Sequence, residues 1–323
     1  MPSLLQVRNL SVSFQTSRGT FCAVEDFDFT LEKGEILTLV GESGSGKSVA
    51  MLAIMDLLGE DVIVKADEIS FEGKNLLTMS KKMRQKLYGE SLSMIFQEPF
   101  NSLNPCFKVG DQVAEMFTTH KGFSKKKAKD KVLELFHQVG IAETEIRYNL
   151  YPHQLSGGMN QRVMIAIAIA LNPKLLIADE PTTALDVTIQ AQILQLLMEI
   201  CQNKGMALVL ITHNIGIVAE LAETVIVQYA GMQMEKSPCL DLLNRPLHPY
   251  TKALLEANPE NSQAKRLFSI PGAIPLLEEK PKGCYFAPRC GYKTANCLNP
   301  IPIVKVGKTE TRCLHYDQLL PKF

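Results

Sequence analysis

Residues 41–48, GESGSGKS, fit the pattern G-x-x-x-x-G-K-[ST] that wraps the phosphates of a nucleotide. Small residues let consecutive backbone N–H groups approach phosphate oxygens, and a helix that follows points its positive end at them. In this pattern the lysine bridges the β- and γ-phosphates, while the hydroxyl after it holds Mg²⁺. We therefore predict a nucleotide-binding loop made of Gly41, Glu42, Ser43, Gly44, Ser45, Gly46, Lys47 and Ser48.

A pair of carboxylates follows an apolar segment in KLLIADEP, residues 174–181. Asp179 is placed to hold Mg²⁺, directly or through water, and Glu180 to polarise an attacking water. Taken alone, an acidic pair after a strand is more often a favourable charge at the start of a helix. The phosphate loop in the same chain favours the catalytic interpretation, so we predict that the chain binds and hydrolyses ATP.

Half of the eight cysteines lie in the last forty residues, with the spacing C-x5-C-x6-C-x15-C. The segment around them is rich in proline, and a small scaffold without much core of its own needs a staple. Disulfides are rare in a reducing compartment, so metal ligation is the natural alternative. Zinc with His315 as a substitute ligand, an iron–sulfur cluster, and a chance grouping of structural thiols all stay open. The candidate ligands are Cys284, Cys290, Cys297 and Cys313.

Strands and helices alternate around the residues that carry this chemistry. The strand pattern EILTLV precedes the phosphate loop and a helical pattern follows it; after residue 150 the order is helix, strand, helix, strand. This order predicts an α/β fold with a mostly parallel sheet. Strand-like alternation also occupies the first thirty residues, and residues 107–140 have an amphipathic helical pattern.

Residues 236–323 differ from the rest of the chain, because they hold most of the 17 prolines and show little periodicity. We therefore predict two domains, 1–235 and 236–323.

The composition excludes some classes of function. Lys+Arg and Asp+Glu are balanced at 34 each, which argues against binding to nucleic acid or an anionic membrane through net charge. The longest wholly apolar run, VMIAIAIAL, is about half the length of a membrane-spanning helix. The first residues lack the basic and apolar regions of a secretory signal, so we expect a soluble, cytosolic protein.

The segment LSGGMNQR, residues 155–162, resembles the signature of ABC-type ATPases. Gln97 in IFQEP resembles the Q-loop of that family, the segment 184–186 with Asp186 its D-loop, and His213 in ITHN its switch histidine. Phe14 stands where these proteins stack an aromatic ring on adenine. Met159 departs from the glutamine of many members. The resemblance, from about residue 4 to 235, implies a P-loop NTPase core with an antiparallel β subdomain and a helical subdomain at about 97–160.

The resemblance also implies roles for these residues. Ser156, Gly157 and Gly158 would contact the γ-phosphate held by a partner subunit, head to tail, so that ATP joins two subunits. Gln97 would join Ser48 and Asp179 at Mg²⁺. The residues implied in catalysis are Lys47, Gln97, Glu180 and His213.

The tail RPLHPYTKALLEANP, residues 245–259, resembles the C-terminal extension of ATPases from bacterial di- and oligopeptide importers. This implies a motor subunit on the cytoplasmic face of the inner membrane, with a related second ATPase, two permeases and a periplasmic binding protein. It also implies a [4Fe–4S] cluster on the four cysteines, remote from ATP, with the extension as an irregular metal-stapled segment. A nickel-importer ATPase, or a soluble ABC ATPase acting on nucleic acid or ribosomes, remains the alternative. The ATPase does not touch the cargo, so the sequence does not reveal it.

Overall fold

The computed structural model describes residues 3–98, 102–183, 185–216, 222–258 and 269–319. The strands are β1 (Leu5–Thr16), β2 (Gly19–Leu31), β3 (Ile36–Val40), β4 (Val62–Lys65), β5 (Glu68–Phe71), β6 (Lys74–Asn75), β7 (Leu92–Ile95), β8 (Leu175–Asp179), β9 (Ala207–Thr212), β10 (Thr224–Tyr229), β11 (Met232–Pro238), β12 (Val304–Val306) and β13 (Thr309–Thr311). The helices are α1 (Lys47–Ile54), α2 (Lys81–Leu87), α3 (Val109–Lys121), α4 (Lys125–Gln138), α5 (Thr144–Tyr148), α6 (Gly157–Ile169), α7 (Val187–Lys204), α8 (Cys239–Asn244) and α9 (Pro249–Glu256).

The chain forms two compact units, each assembled from separate segments. The first unit comprises Met1–Leu31, Ile36–Leu77 and Ile211–Phe323, and the second comprises Glu32–Glu35 and Thr78–Leu210. The phosphate loop, Phe14, His213 and the four clustered cysteines therefore belong to the first unit. Gln97, the carboxylate pair, the signature segment and Asp186 belong to the second.

The first unit begins with an antiparallel pair of long strands. β1 and β2 pair in a register that places Leu5 opposite Leu31 and Phe14 opposite Phe21. Alternation along β1 buries Leu5 and Val7, because successive side chains of a strand point to opposite faces. It buries Leu10 and Val12 in the same way after a register shift. β1 also pairs antiparallel with β4 and with β5. These pairings confirm the predicted antiparallel strands at the beginning of the chain.

Strand β3 supports the phosphate loop within the same unit. All five of its residues are buried, as expected for a strand covered on both faces of a parallel sheet. It pairs in parallel with β10, with Leu37 opposite Thr224 and Val40 opposite Val227. β10 turns back into β11, and β13 of the C-terminal extension adds to the other side of β11.

The C-terminal extension buries its apolar residues together with those of β10 and β11. The ring of Tyr250 in α9 lies 4.7 Å from that of Tyr229 and 5.2 Å from that of Phe286, measured between ring centroids. Residues on both sides of position 236 therefore share one hydrophobic core, which explains how a proline-rich segment of low periodicity is packed. The division into domains 1–235 and 236–323 stays a prediction.

The second unit combines parallel strands with a group of helices. β7 and β8 pair in parallel, with Leu92 opposite Leu175, and β9 lies on the other side of β8. The predicted helical pattern of residues 107–140 is confirmed as α3 and α4, which are separated where Gly122 adopts a φ of 63°. Ser124 then caps α4, accepting a hydrogen bond from the backbone N–H of Lys127. α3 and α4 both contact α6.

In the part of the chain that the structure describes, no helix is both long enough and apolar enough to cross a membrane. The apolar run at residues 163–171 lies in α6 and just beyond its end, and its side chains contribute to the core of the second unit.

We predict that Gly110→Ala destabilises the protein, because a Cβ at this position of α3 would lie 2.3 Å from ring atoms of Tyr148. That ring is held by a hydrogen bond of 3.0 Å from its hydroxyl to Asp111, so it does not move aside easily. Overpacking of this kind costs about 1–3 kcal/mol. Calorimetry should show a lower Tm. Gly59→Ala is the control, since its Cβ would have no neighbour within 4 Å; equal Tm values for the two variants would contradict the prediction.

Candidate nucleotide site

The phosphate loop lies between β3 and α1, where backbone groups of neighbouring strands leave it little room. A Cβ on Gly41 would lie 2.1 Å from the carbonyl oxygen of Gln228 in β10. A Cβ on Gly46, which has a φ of 92°, would lie 2.8 Å from the carbonyl oxygen of Ala23 in β2. The carbonyl of Ser45 accepts a hydrogen bond of 2.8 Å from the N–H of Gly231. Glycine is therefore required at both positions, and the loop is fixed from two sides.

Lys47 folds its side chain back over this loop. Its ammonium group donates to the carbonyl oxygens of Gly41 at 2.9 Å and of Glu42 at 3.0 Å, and contacts Oγ of Ser45 at 3.4 Å. The residue is buried. Ser48 lies in the first turn of α1, directly after it. A cation and a hydroxyl are thus placed at the start of a helix beside a glycine-rich loop, which is the arrangement that binds phosphate and Mg²⁺.

Two further predicted residues lie in the first unit. Phe14 is half-buried in β1, in the cross-strand pair with Phe21. His213 directly follows β9 and has an exposed side chain. Contact of Phe14 with adenine and of His213 with a γ-phosphate remain predictions.

In the second unit the structure brings Gln97 and Glu180 together. Nε2 of Gln97 donates to Oε2 of Glu180 at 3.0 Å, and Oγ1 of Thr183 donates to the same oxygen at 3.0 Å. Glu180 has a φ of 43°, a conformation that is uncommon for a residue with a side chain and that occurs often at functional sites. Asp179, at the end of β8, is buried. These two hydrogen bonds orient the Glu180 carboxylate, which suits a group that polarises water.

The signature segment and Asp186 lie at the starts of two neighbouring helices of the second unit. Oγ of Ser156 accepts from the N–H of Met159 at 3.3 Å at the start of α6, and Oδ1 of Asp186 accepts from the N–H of Ile189 at 3.0 Å at the start of α7. A Cβ on Gly158 would lie 3.1 Å from Cγ2 of Ile189, so the two helix starts adjoin. Helix N-termini attract anions. Ala184, also in the predicted D-loop, lies outside the described residues.

The structure also brings the four clustered cysteines together. They line one small cavity in the first unit, and all four are free thiols. The N–H of Tyr292 donates to Sγ of Cys290 at 3.4 Å, and the N–H of His315 donates to Sγ of Cys313 at 3.3 Å. N–H donors favour a thiolate over a thiol, and hydrogen bonds to sulfur are characteristic of Cys-ligated metal sites. The donor chemistry therefore fits a metal cofactor.

Other properties of this cavity do not support a bound metal. Burial raises the pKa of Cys284 to about 11 and that of Cys313 to about 12, which favours protonated thiols. The cavity has a volume of about 10 Å³, roughly the space of one water molecule. Among the described residues, no group of three or more His, Cys, Asp or Glu side chains is arranged to hold a metal ion. The predicted metal staple of the extension is therefore not shown by the structure.

The sequence analysis missed two side chains that contact the phosphate loop. The hydroxyl of Tyr250 accepts a hydrogen bond of 2.9 Å from the N–H of Glu42, and Arg289 forms an ion pair of 2.7 Å with the Glu42 carboxylate. The partners are 208 and 247 positions apart in the chain, so no local pattern could reveal them. Arg289 directly precedes Cys290, so the cysteine segment contacts the phosphate loop through its neighbour, while the distance of the four cysteines from bound ATP stays a prediction.

Comparisons with known proteins give matches to both parts of the chain. A family model described as ABC transporter matches residues 24–183, and one described as oligopeptide/dipeptide transporter, C-terminal region, matches residues 234–297. The chain is 49% identical over 313 residues to a dipeptide transport ATP-binding protein of Haemophilus influenzae, with 96% of this chain and 95% of that protein covered. It is 50% identical over 317 residues to a dipeptide transport ATP-binding protein of Escherichia coli, with 97% of each chain covered.

Among solved structures, the chain is similar to a dimeric ATP-binding cassette in a post-hydrolysis state, bound to ADP and Pi. The TM-score is 0.65 at 25% sequence identity, with 73% of this chain and 98% of that chain covered. The likeness thus covers nearly the whole of that protein and about three quarters of this chain.

We predict that Gly41→Ala weakens nucleotide binding, because the loop must move away from the carbonyl of Gln228 to make room for the new methyl group. Overpacking against backbone costs about 1–3 kcal/mol, equivalent to about tenfold or more in affinity when the strain falls on the binding loop. Titration of the full-length chain with a fluorescent ATP analogue measures the effect. Gly59→Ala should bind as the wild type does. Wild-type affinity in Gly41→Ala would show that the loop does not depend on this contact.

Proposed function

The chain belongs to the ABC transporter family, and we propose that within it the protein is the ATP-hydrolysing motor subunit of an importer for dipeptides and oligopeptides. The observation that carries this proposal is identity of about half of all residues with dipeptide transport ATP-binding proteins over nearly the full length of the chain. The match to the C-terminal region of oligopeptide/dipeptide transporters supports the same class of cargo. Together they favour peptide import over the nickel-import and soluble-ATPase alternatives.

We propose that Lys47 neutralises the β- and γ-phosphates of ATP. Ser48 and Asp179 supply oxygen ligands for Mg²⁺, and Gln97 lies beside the metal. Glu180 polarises the attacking water. The hydrogen bond between Gln97 and Glu180 supports this assignment, because it holds the proposed base beside the residue assigned to the metal. Positioning and electrostatic stabilisation supply most of the rate in such phosphoryl transfer.

Three other residues complete the assigned site, two of them as nucleotide contacts. Phe14 stacks on the adenine ring, and its half-buried position on β1 leaves part of its side chain accessible for that contact. His213 contacts the γ-phosphate, for which its exposed position directly after β9 is suitable. Asp186 fixes the start of α7 next to the signature segment, as its capping hydrogen bond supports.

We propose that ATP joins this chain to a second ATPase subunit. Ser156, Gly157 and Gly158 would contact the γ-phosphate bound by the partner, because a capped, glycine-rich helix start is an anion site. The similar cassette solved as a dimer bound to ADP and Pi supports a paired arrangement. The partner would be a related but different ATPase, with a second copy of this chain as the alternative. The pair would act with two membrane permeases and a substrate-binding protein, peripherally on the cytoplasmic face of the inner membrane.

We predict that Glu180→Gln retains ATP binding but reduces turnover by about 10²–10⁴-fold, because the phosphate contacts remain while water activation is lost. The measurement is ATP hydrolysis by the complex purified with its permeases, together with nucleotide binding to the same sample. Glu134→Gln is the matched control: this carboxylate lies on α4 and is 64% exposed, so its loss should leave the rate unchanged.

Two results would contradict these assignments. Hydrolysis by Glu180→Gln at the wild-type rate would exclude Glu180 as the base. Recovery of the chain only as a free protein, or bound to ribosomes or DNA, would contradict its place in a permease complex.

We further propose that Cys284, Cys290, Cys297 and Cys313 bind one [4Fe–4S] cluster, with Zn²⁺ as the alternative. The convergence of four thiols on one cavity and the N–H donors to the sulfurs of Cys290 and Cys313 support this. When bound, the cluster would join four short segments of the extension and supply folding energy. Since the cavity is about the size of one water molecule, these segments would have to separate to admit it.

We predict that protein purified without oxygen is brown and contains about four iron and four sulfide per chain, the content of one [4Fe–4S] cluster. Cys313→Ser should lose most of the iron, because one ligand is removed. Cys201→Ser is the control, since Cys201 is equally buried but lies in α7 of the other unit. Stoichiometric zinc without sulfide would exclude the cluster but keep the site, and protein without metal would exclude both.

A further inference from the structure

Glu42, the second residue of the phosphate loop, is held by a side chain of the C-terminal extension. Nη1 of Arg289 donates to Oε2 of Glu42 at 2.7 Å, and Nη2 donates to Oε1 at 3.1 Å. The arginine side chain is 5% exposed and the glutamate side chain 28% exposed. A bidentate pair that is largely shielded from water is stronger and more directional than a surface ion pair.

The guanidinium of Arg289 is itself fixed by its other contacts. Nε donates to the carbonyl oxygen of Pro271 at 2.8 Å, and Nη2 donates to that of Ile270 at 3.2 Å. Nη1 also donates to the hydroxyl of Tyr229 at 3.3 Å, and the guanidinium lies 5.6 Å from the centre of that ring. Since every nitrogen has a partner, Arg289 is preorganised to meet the carboxylate.

The backbone of Glu42 is held as well. Its N–H donates to the hydroxyl of Tyr250 at 2.9 Å. Tyr250 is fully buried, and its ring packs against those of Tyr229 and Phe286. This N–H therefore points into the extension and is not available to phosphate.

The extension does not need Glu42 in order to pack against the rest of the first unit. β13 pairs with β11, and Nζ of Lys280 donates to the carbonyl of Cys22 at 2.6 Å. The buried Arg312 forms an ion pair with the partly exposed Asp26, outside the phosphate loop. Docking of the extension therefore does not by itself explain why two of its side chains converge on Glu42 in the phosphate loop.

We propose that Arg289 and Tyr250 are positioning residues for ATP, acting through Glu42. Tyr250 fixes the loop backbone, and Arg289 fixes the carboxylate and neutralises a negative charge that would otherwise repel the triphosphate. Nucleotide affinity then depends on the C-terminal extension, not on the nucleotide motifs alone. This inference rests on the proposed function, because it requires that the loop binds ATP.

The test measures binding of a fluorescent ATP analogue to the full-length chain and to single and double variants. Arg289→Gln should weaken binding about tenfold, as expected for loss of one charge-assisted contact. Glu42→Gln combined with Arg289→Gln should regain most of that loss, because no uncompensated carboxylate then lies beside the phosphates. Tyr250→Phe should weaken binding by leaving the N–H of Glu42 buried without an acceptor.

Arg312→Gln is the matched control, because it removes another buried arginine of the same extension that pairs with a carboxylate away from the loop. It should lower the Tm, as Arg289→Gln does, but keep the wild-type affinity. The inference is overturned if Arg289→Gln binds as the wild type does, if the double variant binds no better than Arg289→Gln, or if Arg312→Gln loses equal affinity. A wild-type chain that binds no ATP would instead overturn the proposed function.

Discussion

The carbonyl oxygens of Gln228 and Ala23 confine the phosphate loop, and most features of the first unit depend on this contact. A side chain at Gly41 or Gly46 would overlap them, so the loop backbone follows one path between the strands. β3 and β10 must be in register for that path to exist. Lys47 then lies over the loop, with its ammonium group satisfied by loop oxygens. The positive charge at the site is therefore set by backbone packing before any nucleotide binds.

Two carboxylates near the predicted chemistry have different partners. Glu42 meets the guanidinium of Arg289, which cancels its charge. Glu180 accepts hydrogen bonds from the side chains of Gln97 and Thr183, which orient it. The carboxylate in the phosphate loop, which would otherwise repel phosphate, is thus paired with a cation, and the proposed base is oriented by two side-chain donors. The partners of each carboxylate, not its residue type, determine what it can do.

Apolar contacts and strand pairing explain the packing of the C-terminal extension without a metal. Tyr250 and Phe286 join the core that includes Tyr229, and a short hairpin of β12 and β13 extends the sheet next to β11. The four thiols converge within this framework, and backbone N–H groups already face two of them. The side chains of Cys284 and Cys297 belong to the same hydrophobic core as these aromatic rings, so the packing of the extension accounts for their burial without a metal.

The phosphate loop, the carboxylate pair and the signature segment could be located in the sequence alone, because each is a short local pattern of residue types. Hydrophobic periodicity likewise predicted the strands beside the loop and the helices α3 and α4. Only the tertiary structure decided that Arg289 and Tyr250 hold Glu42, since those contacts join residues more than 200 positions apart. It also decided that the thiols of the extension share one cavity of the size of one water molecule. The sequence shows which candidate ligands are present and how far apart they lie along the chain. The distances between them in space follow from strand register and core packing, which no local pattern encodes.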